Sequence, residues 1–242
     1  MIDDIKTVLW KEIKEEILSN KQVLLGLLVT VPVFGIMLPW NMGRAFVEEP
    51  YLLIFLSVLP LVMVINILTD SFAGERERHT LETLLATRLS DHAILFGKIM
   101  AAVAYAWGGT ILTILTGLIT VNVAFGQSQI LLFSPLEGLL IILITLLLSI
   151  LITSAGVLVS LRASTVRQAE TSFLVGMAAV AFIPMVVYYI LPDDLKEQVL
   201  DQLVSIGLDN VMVMLVFGLV ALIAIVLSVA MNRFQRNKLI LD

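Results

Sequence analysis

Residues 210–231, NVMVMLVFGLVALIAIVLSVAM, contain no aspartate, glutamate, lysine or arginine. An apolar run of roughly 20 residues is long enough to cross a bilayer as an α-helix. Five more such blocks lie near 22–40, 51–69, 97–123, 136–160 and 171–191. In lipid each span must satisfy its own backbone hydrogen bonds, so helix is the expected form. The short alternating segments of a closed barrel are absent. Composition agrees: 59% of residues are hydrophobic and 14% charged, with a mean hydropathy of +1.01, whereas soluble domains carry about 25% charged residues. The expectation is an all-α integral membrane protein with six transmembrane helices. It forms one domain over residues 1–242, with no separate soluble domain.

Orientation follows from the basic residues. Of the 15 lysines and arginines, all but Arg44 and Lys196 fall in segments 1–21, 70–98, 161–170 and 232–242. An excess of Lys and Arg marks cytoplasmic segments. Both termini and the 71–98 connection are therefore expected in the cytoplasm of a multi-pass plasma-membrane protein. Glu48, Glu49, Glu137, Asp193, Asp194, Glu197, Asp201 and Asp209 fall on the outer side, so the sequence pI of 5.1 describes the outer loops. No basic stripe points to nucleic acid. Cysteine is absent, which excludes disulfides and thiol chemistry. The first 21 residues are charged and lack the apolar core of a cleavable signal.

Within residues 1–21, Ile2, Ile5, Leu9, Ile13 and Ile17 recur at helical spacing, with Lys and Glu opposite and Trp10 suited to an interface. This predicts an amphipathic helix on the inner leaflet. Pro32, Pro39 and Pro60 lie in the first two spans, where proline marks kinks. The third span carries Thr110, Thr113, Thr116 and Thr120 with Gly109 and Gly117; the fourth carries Thr145, Ser149, Thr153, Gly156 and Ser160. Small residues at such spacing let membrane helices pack closely. Thr113, Thr116, Thr120, Ser149, Thr153 and Gly156 are thus candidates either for helix packing or for lining a wetted path. Residues 192–209 predict a short outer helix, started by Pro192-Asp193-Asp194, carried by Leu195, Val199, Leu203 and Ile206, and ended at Gly207.

Familiar site chemistry is missing. There is no GxxxxGK[ST] loop for nucleotide and no HExxH, and His79 and His92 have no ligand spacing. The chain is therefore expected to be neither an enzyme nor a metal or cofactor binder. No ionisable residue falls near a bilayer midplane, which argues against an ion- or proton-driven carrier and against a cation channel. Such a chain must take its energy from elsewhere.

Against this background the stretch SFAGERERHTLETLLATRLSDHAILFGK, residues 71–98, stands out. Helix connections are commonly two to eight residues; this one is far longer and densely charged. Leu81, Leu84, Leu85 and Leu89 form an apolar edge, and Ser90-Asp91 reads as the cap of the next helix. The pattern is that of a docking element. It resembles the cytoplasmic loop of the type 2 ATP-binding-cassette (ABC) transporter permeases in Glu75-Arg76, Thr80-Leu81-Glu82, Leu84-Leu85, Thr87, Leu89-Ser90 and Gly97-Lys98. It departs at Arg88, where that family usually has proline. The order of elements along the whole chain is also similar to theirs.

The resemblance implies a permease, in the exporter sense, that assembles with a second permease copy, as homodimer or heterodimer, and with separate ABC ATPase subunits. ATP and Mg would sit on those ATPases and none in this chain. Residues 70–96 would form the coupling segment, with Glu75, Arg76, Arg78, Thr80, Leu81, Glu82, Leu84 and Leu85 engaging the ATPase. Arg162 and Arg167, in the loop 161–170, could add a second contact. The first and fifth spans would form the dimer seam. The alternative is a stand-alone polytopic membrane enzyme or assembly factor, which would require polar side chains converging inside the bundle. Asn66, Asp70 and Asn122 are the best placed for that, and all three sit near span ends.

Overall fold

The computed structural model describes residues 2–49, 56, 58–126, 129–198 and 208–234. All regular structure among them is helical. Helix α1 (Ile2–Glu12) runs into a π-helical turn (Ile13–Leu18). Helix α2 (Lys21–Pro32) starts at Asn20, whose side chain accepts from the Gln22 N–H. Proline lacks an N–H and cannot close the normal ladder, and a second π-helical turn (Val33–Met37) follows Pro32 directly. Helices α3 (Leu38–Met42) and α4 (Ala45–Glu48) flank Gly43, whose φ of 61° makes the reversal. Then come α5 (Leu59–Ser71), α6 (Ala73–Glu77) and α7 (Leu81–Leu85).

The long helices follow. Helix α8 (Asp91–Phe125) opens on Ser90, whose hydroxyl accepts from the Ala93 N–H as expected. Helix α9 (Pro135–Arg162) opens on a capping box of Ser134 and Glu137. Helix α10 (Val166–Ile190) is capped by Thr165, and α11 is Leu208–Arg233. Among the described residues, four stretches are long and apolar enough to cross a membrane: Lys21–Met42, Asp91–Phe125, Pro135–Arg162 and Val213–Arg233. The expected second span lies partly outside the described residues. The expected fifth span, 171–191, falls in the helix α10, which is not among these four. The outer helix begins as expected at 193–198, and its remainder, 199–207, lies outside the described residues.

The main core is formed where α2, α5, α8 and α9 meet, with Val64, Leu68, Phe72, Ile94, Leu95 and Ala106 fully enclosed. Two glycines permit close approaches. A Cβ on Gly156 would lie 2.4 Å from the Leu68 side chain, and one on Gly35 would lie 2.9 Å from the Thr113 carbonyl. The hydroxyl stripes are absorbed into this packing. Thr113, Thr145, Ser149 and Thr153 are fully buried, and each donates to the carbonyl four residues earlier. Thr116 does the same from a less enclosed position. Thr120 also reaches the Gly35 carbonyl at 2.9 Å, in the π-helical turn of the first span.

At the far end, Asn122 folds the connection after α8. Its Nδ2 donates to the carbonyls of Leu118 and Leu131, and its Oδ1 accepts from the Leu131 N–H. Helix α1 does not lie free: Val8 and Glu12 are buried against the first turns of α8, while Ile2 and Trp10 are each 68% exposed.

Candidate functional site

The charged stretch after α5 is held in a frame of hydrogen bonds to helix ends. The last carbonyls and first N–H groups of a helix lack intrahelical partners, and this segment supplies them. Ser160 Oγ accepts from the N–H groups of Phe72 and Ala73 at 3.0 and 2.9 Å. The Arg76 guanidinium donates to the carbonyls of Ala163 (2.6 Å) and Leu161 (3.1 Å), closing the end of α9. Glu77 Oε2 accepts from the Val166 N–H at 3.0 Å, at the positive start of α10.

Helix α6 ends in a Schellman motif. The Thr80 N–H reaches the Glu75 carbonyl at 2.8 Å and the His79 N–H reaches that of Arg76 at 3.1 Å. His79 takes the left-handed conformation this requires, with φ 56°. The chain then turns into α7, whose Leu81 and Leu84 point into the main core.

Three elements converge on Lys98. Its ammonium donates to Glu12 Oε1 (2.9 Å), the Ser71 carbonyl (3.0 Å) and Glu75 Oε1 (3.0 Å). These three acceptors match its three N–H donors. Lys98 is 3% exposed, and Glu12 and Glu75 are 6% exposed. The Phe72 ring lies below the ammonium, 5.2 Å to its centroid. Lys11 Nζ stands 3.9 Å from Glu75 Oε1 and brings a second positive charge to the pair of carboxylates. Next to Lys98, Gly97 lets α1 approach: a Cβ there would lie 2.6 Å from Val8.

A second charged group lies beside the first. Arg78 Nη1 contacts both oxygens of Asp70 at 3.0 Å, and Nη2 stands 3.5 Å from Glu16. Gly74 makes room for that carboxylate, since a Cβ would sit 1.9 Å from Asp70 Oδ1. Burial, and then the neighbouring Asp70 and Glu12 carboxylates, push the Glu16 carboxyl up to about 7. Burial works against the Arg78 guanidinium, but Asp70, Glu16 and Glu75 outweigh it and hold its pKa above the usual arginine value. These groups line a polar cavity of about 530 Å³ bounded by Lys11, Glu15, Glu16, Asp70, Arg78 and Thr80.

The structure thus divides the expected docking residues. Glu75, Leu81 and Leu84 are buried in the chain's own interior. Their physical job is to fix the segment from within. Arg76 is half-buried on the end of α9. Arg78, Thr80 and Glu82 remain exposed, as do Arg162 and Arg167. The side chain of Leu85 lies outside the described ones. The sequence reading missed Glu12 altogether; its signal was an acid at the fourth position after Val8 on the packed face of α1.

No curated protein and no solved structure gave a match to the chain. A family model described as the ABC-2 type transporter matches residues 3–199, and the chain, a multi-pass helical membrane protein by its spans, belongs to that family.

Proposed function

We propose that the chain is the permease subunit of an ATP-driven transporter, working in the export direction with a separate ATPase subunit and a second permease copy. The family is a membrane component of transport and not itself catalytic. ATP and Mg belong to the ATPase in this reading. In this reading the chain crosses the plasma membrane six times, with both termini and residues 70–96 on the cytoplasmic side.

The observation that carries the reading is the construction of residues 73–89. They form two short helices, tied on their inner side to the ends of α9, α10 and α8, with Glu82, Thr83 and Arg88 exposed on the outer side. A connector needs no such anchorage; an element that receives a push does. In this reading Glu82 and Arg88 meet the ATPase, Arg78 and Thr80 border the contact, and Arg162 and Arg167 extend it. Glu75, Arg76, Leu81 and Leu84 transmit the displacement to the spans. The alternative of a membrane-embedded enzyme needs polar side chains free to converge. Asp70 is held by Arg78 and Asn122 by its own loop, which supports the permease reading.

The test is a pull-down of the tagged chain from native membranes in a mild detergent, beside a Glu82→Ala/Arg88→Ala variant. An ATPase that accompanies the parent chain and is depleted with the variant is the expected result. No ATPase with either chain would overturn the reading, and full retention by the variant would move the contact elsewhere.

A further inference from the structure

We propose that Lys98 is a positioning residue that locks the N-terminal helix and the coupling segment into one body, so that the two move together on the spans. The inference rests on the permease reading for its purpose but not for its geometry. Each ammonium proton goes to a different element: Glu12 at the end of α1, the Ser71 carbonyl at the end of α5, and Glu75 in α6. Lys98 itself stands in the second turn of α8. Four elements therefore share one buried cation.

The local packing is built around this contact. Gly97 brings the backbone of α8 against Val8, which places Glu12, one turn further along α1, over Lys98. The Ser71 carbonyl is available because α5 ends there, and a cation at a helix C-terminus also meets the favourable end of its dipole. Phe72 closes the site from below.

A buried ion pair is a poor way to gain stability, since well-packed apolar side chains often do as well. Its particular property is direction: it tolerates one arrangement of its partners and penalises the others. Apolar contacts alone would let α1 slide along α8, whereas three directed bonds to one ammonium do not. The second oxygen of Glu75 has no hydrogen-bond partner among the described residues. The carboxylate is thus held through a single oxygen, by Lys98 with Lys11 nearby, and losing Lys98 leaves Glu75 and Glu12 buried without their main counter-ion.

The chain has no cysteine, so spin labels can be placed without background. Nitroxides at Lys6→Cys and Glu82→Cys, both exposed positions, report the distance between α1 and α7 in the full chain in lipid nanodiscs. A pair at Val123→Cys and Leu132→Cys, exposed at the other end, reports the rest of the fold. With Lys98 present the 6–82 pair is expected to give one narrow distance. With Lys98→Met it should broaden or split, while the 123–132 pair stays unchanged. Should Lys98→Met disturb both pairs, Glu12→Gln decides, because it keeps the shape and removes one arm; only the 6–82 pair should then broaden. A 6–82 distance that stays narrow in both variants would overturn the proposal, even if thermal stability falls. No ATPase takes part, so the result stands or falls separately from the pull-down.

Discussion

At the scale of single residues, the charged segment and the N-terminal turn packed beside it show two costs accepted for geometry. His79 occupies the left-handed position that ends α6, where glycine is the usual occupant because it carries no Cβ. Replacing it should therefore stabilise the chain: His79→Gly is expected to raise stability by about 0.5–1 kcal/mol, read as a higher midpoint in thermal unfolding. A lower midpoint would mean that the imidazole itself makes a needed contact. The second cost is Glu16, whose carboxyl is pushed up to about 7 from 4.5 by burial and by Asp70. The folded chain then holds this proton more tightly than the unfolded chain. Between about pH 4.5 and 7 stability should fall as pH rises, and the loss should level off above the folded value. Glu16→Gln is expected to remove that slope, as measured by unfolding midpoints across this pH range.

At the scale of elements, what was legible followed local rules. Four of the apolar blocks, the Ser90 cap and the helical start at 193 are encoded by spacing and by residue type within a turn or two, and the described residues show each of them. The partnership of Lys98 with Glu12 joins positions 86 apart, and no local period announces it. The apolar periodicity of α1 does not mark the face that packs on the rest of the chain. Its buried face is Val8 and Glu12, while Ile2 faces outward. A membrane lets apolar residues face outward, so the most hydrophobic stripe of a helix need not be the packed one. Glycine positions were visible in the sequence, but what each one faces was not. Gly97→Ala tests this point: its Cβ would collide with Val8. The expected outcome is a displaced α1, with faster amide hydrogen exchange in residues 2–12 than in the parent and no change in α9. Equal protection of α1 would show that Val8 yields without cost.

At the scale of the whole molecule, the decisive asymmetry is chemical. One end of the bundle carries the networks of Lys98, Arg76 and Arg78; the other carries the Asn122 loop and the exposed acids of the connections. Exposed Leu28, Val187, Phe217 and Ile225 on the long helices suit lipid or a second copy. In the proposed arrangement the bias of Lys and Arg puts the first end in the cytoplasm. Single cysteines can test the arrangement, because the parent chain has none. Glu137→Cys and Asp193→Cys should react with a membrane-impermeant maleimide on intact cells. Lys6→Cys and Glu82→Cys should react only after the membrane is opened. Labelling of all four from outside would break the six-span reading, and the reverse pattern would invert it. An inverted chain could not offer residues 73–89 to a cytoplasmic ATPase, so this experiment also bears on the proposed mechanism. With the expected pattern, the ends of α1, α6, α7 and α8 lie together on the ATP-containing side, where a push on Glu82 and Arg88 would reach the N-terminal helix and the second and third spans through one buried lysine.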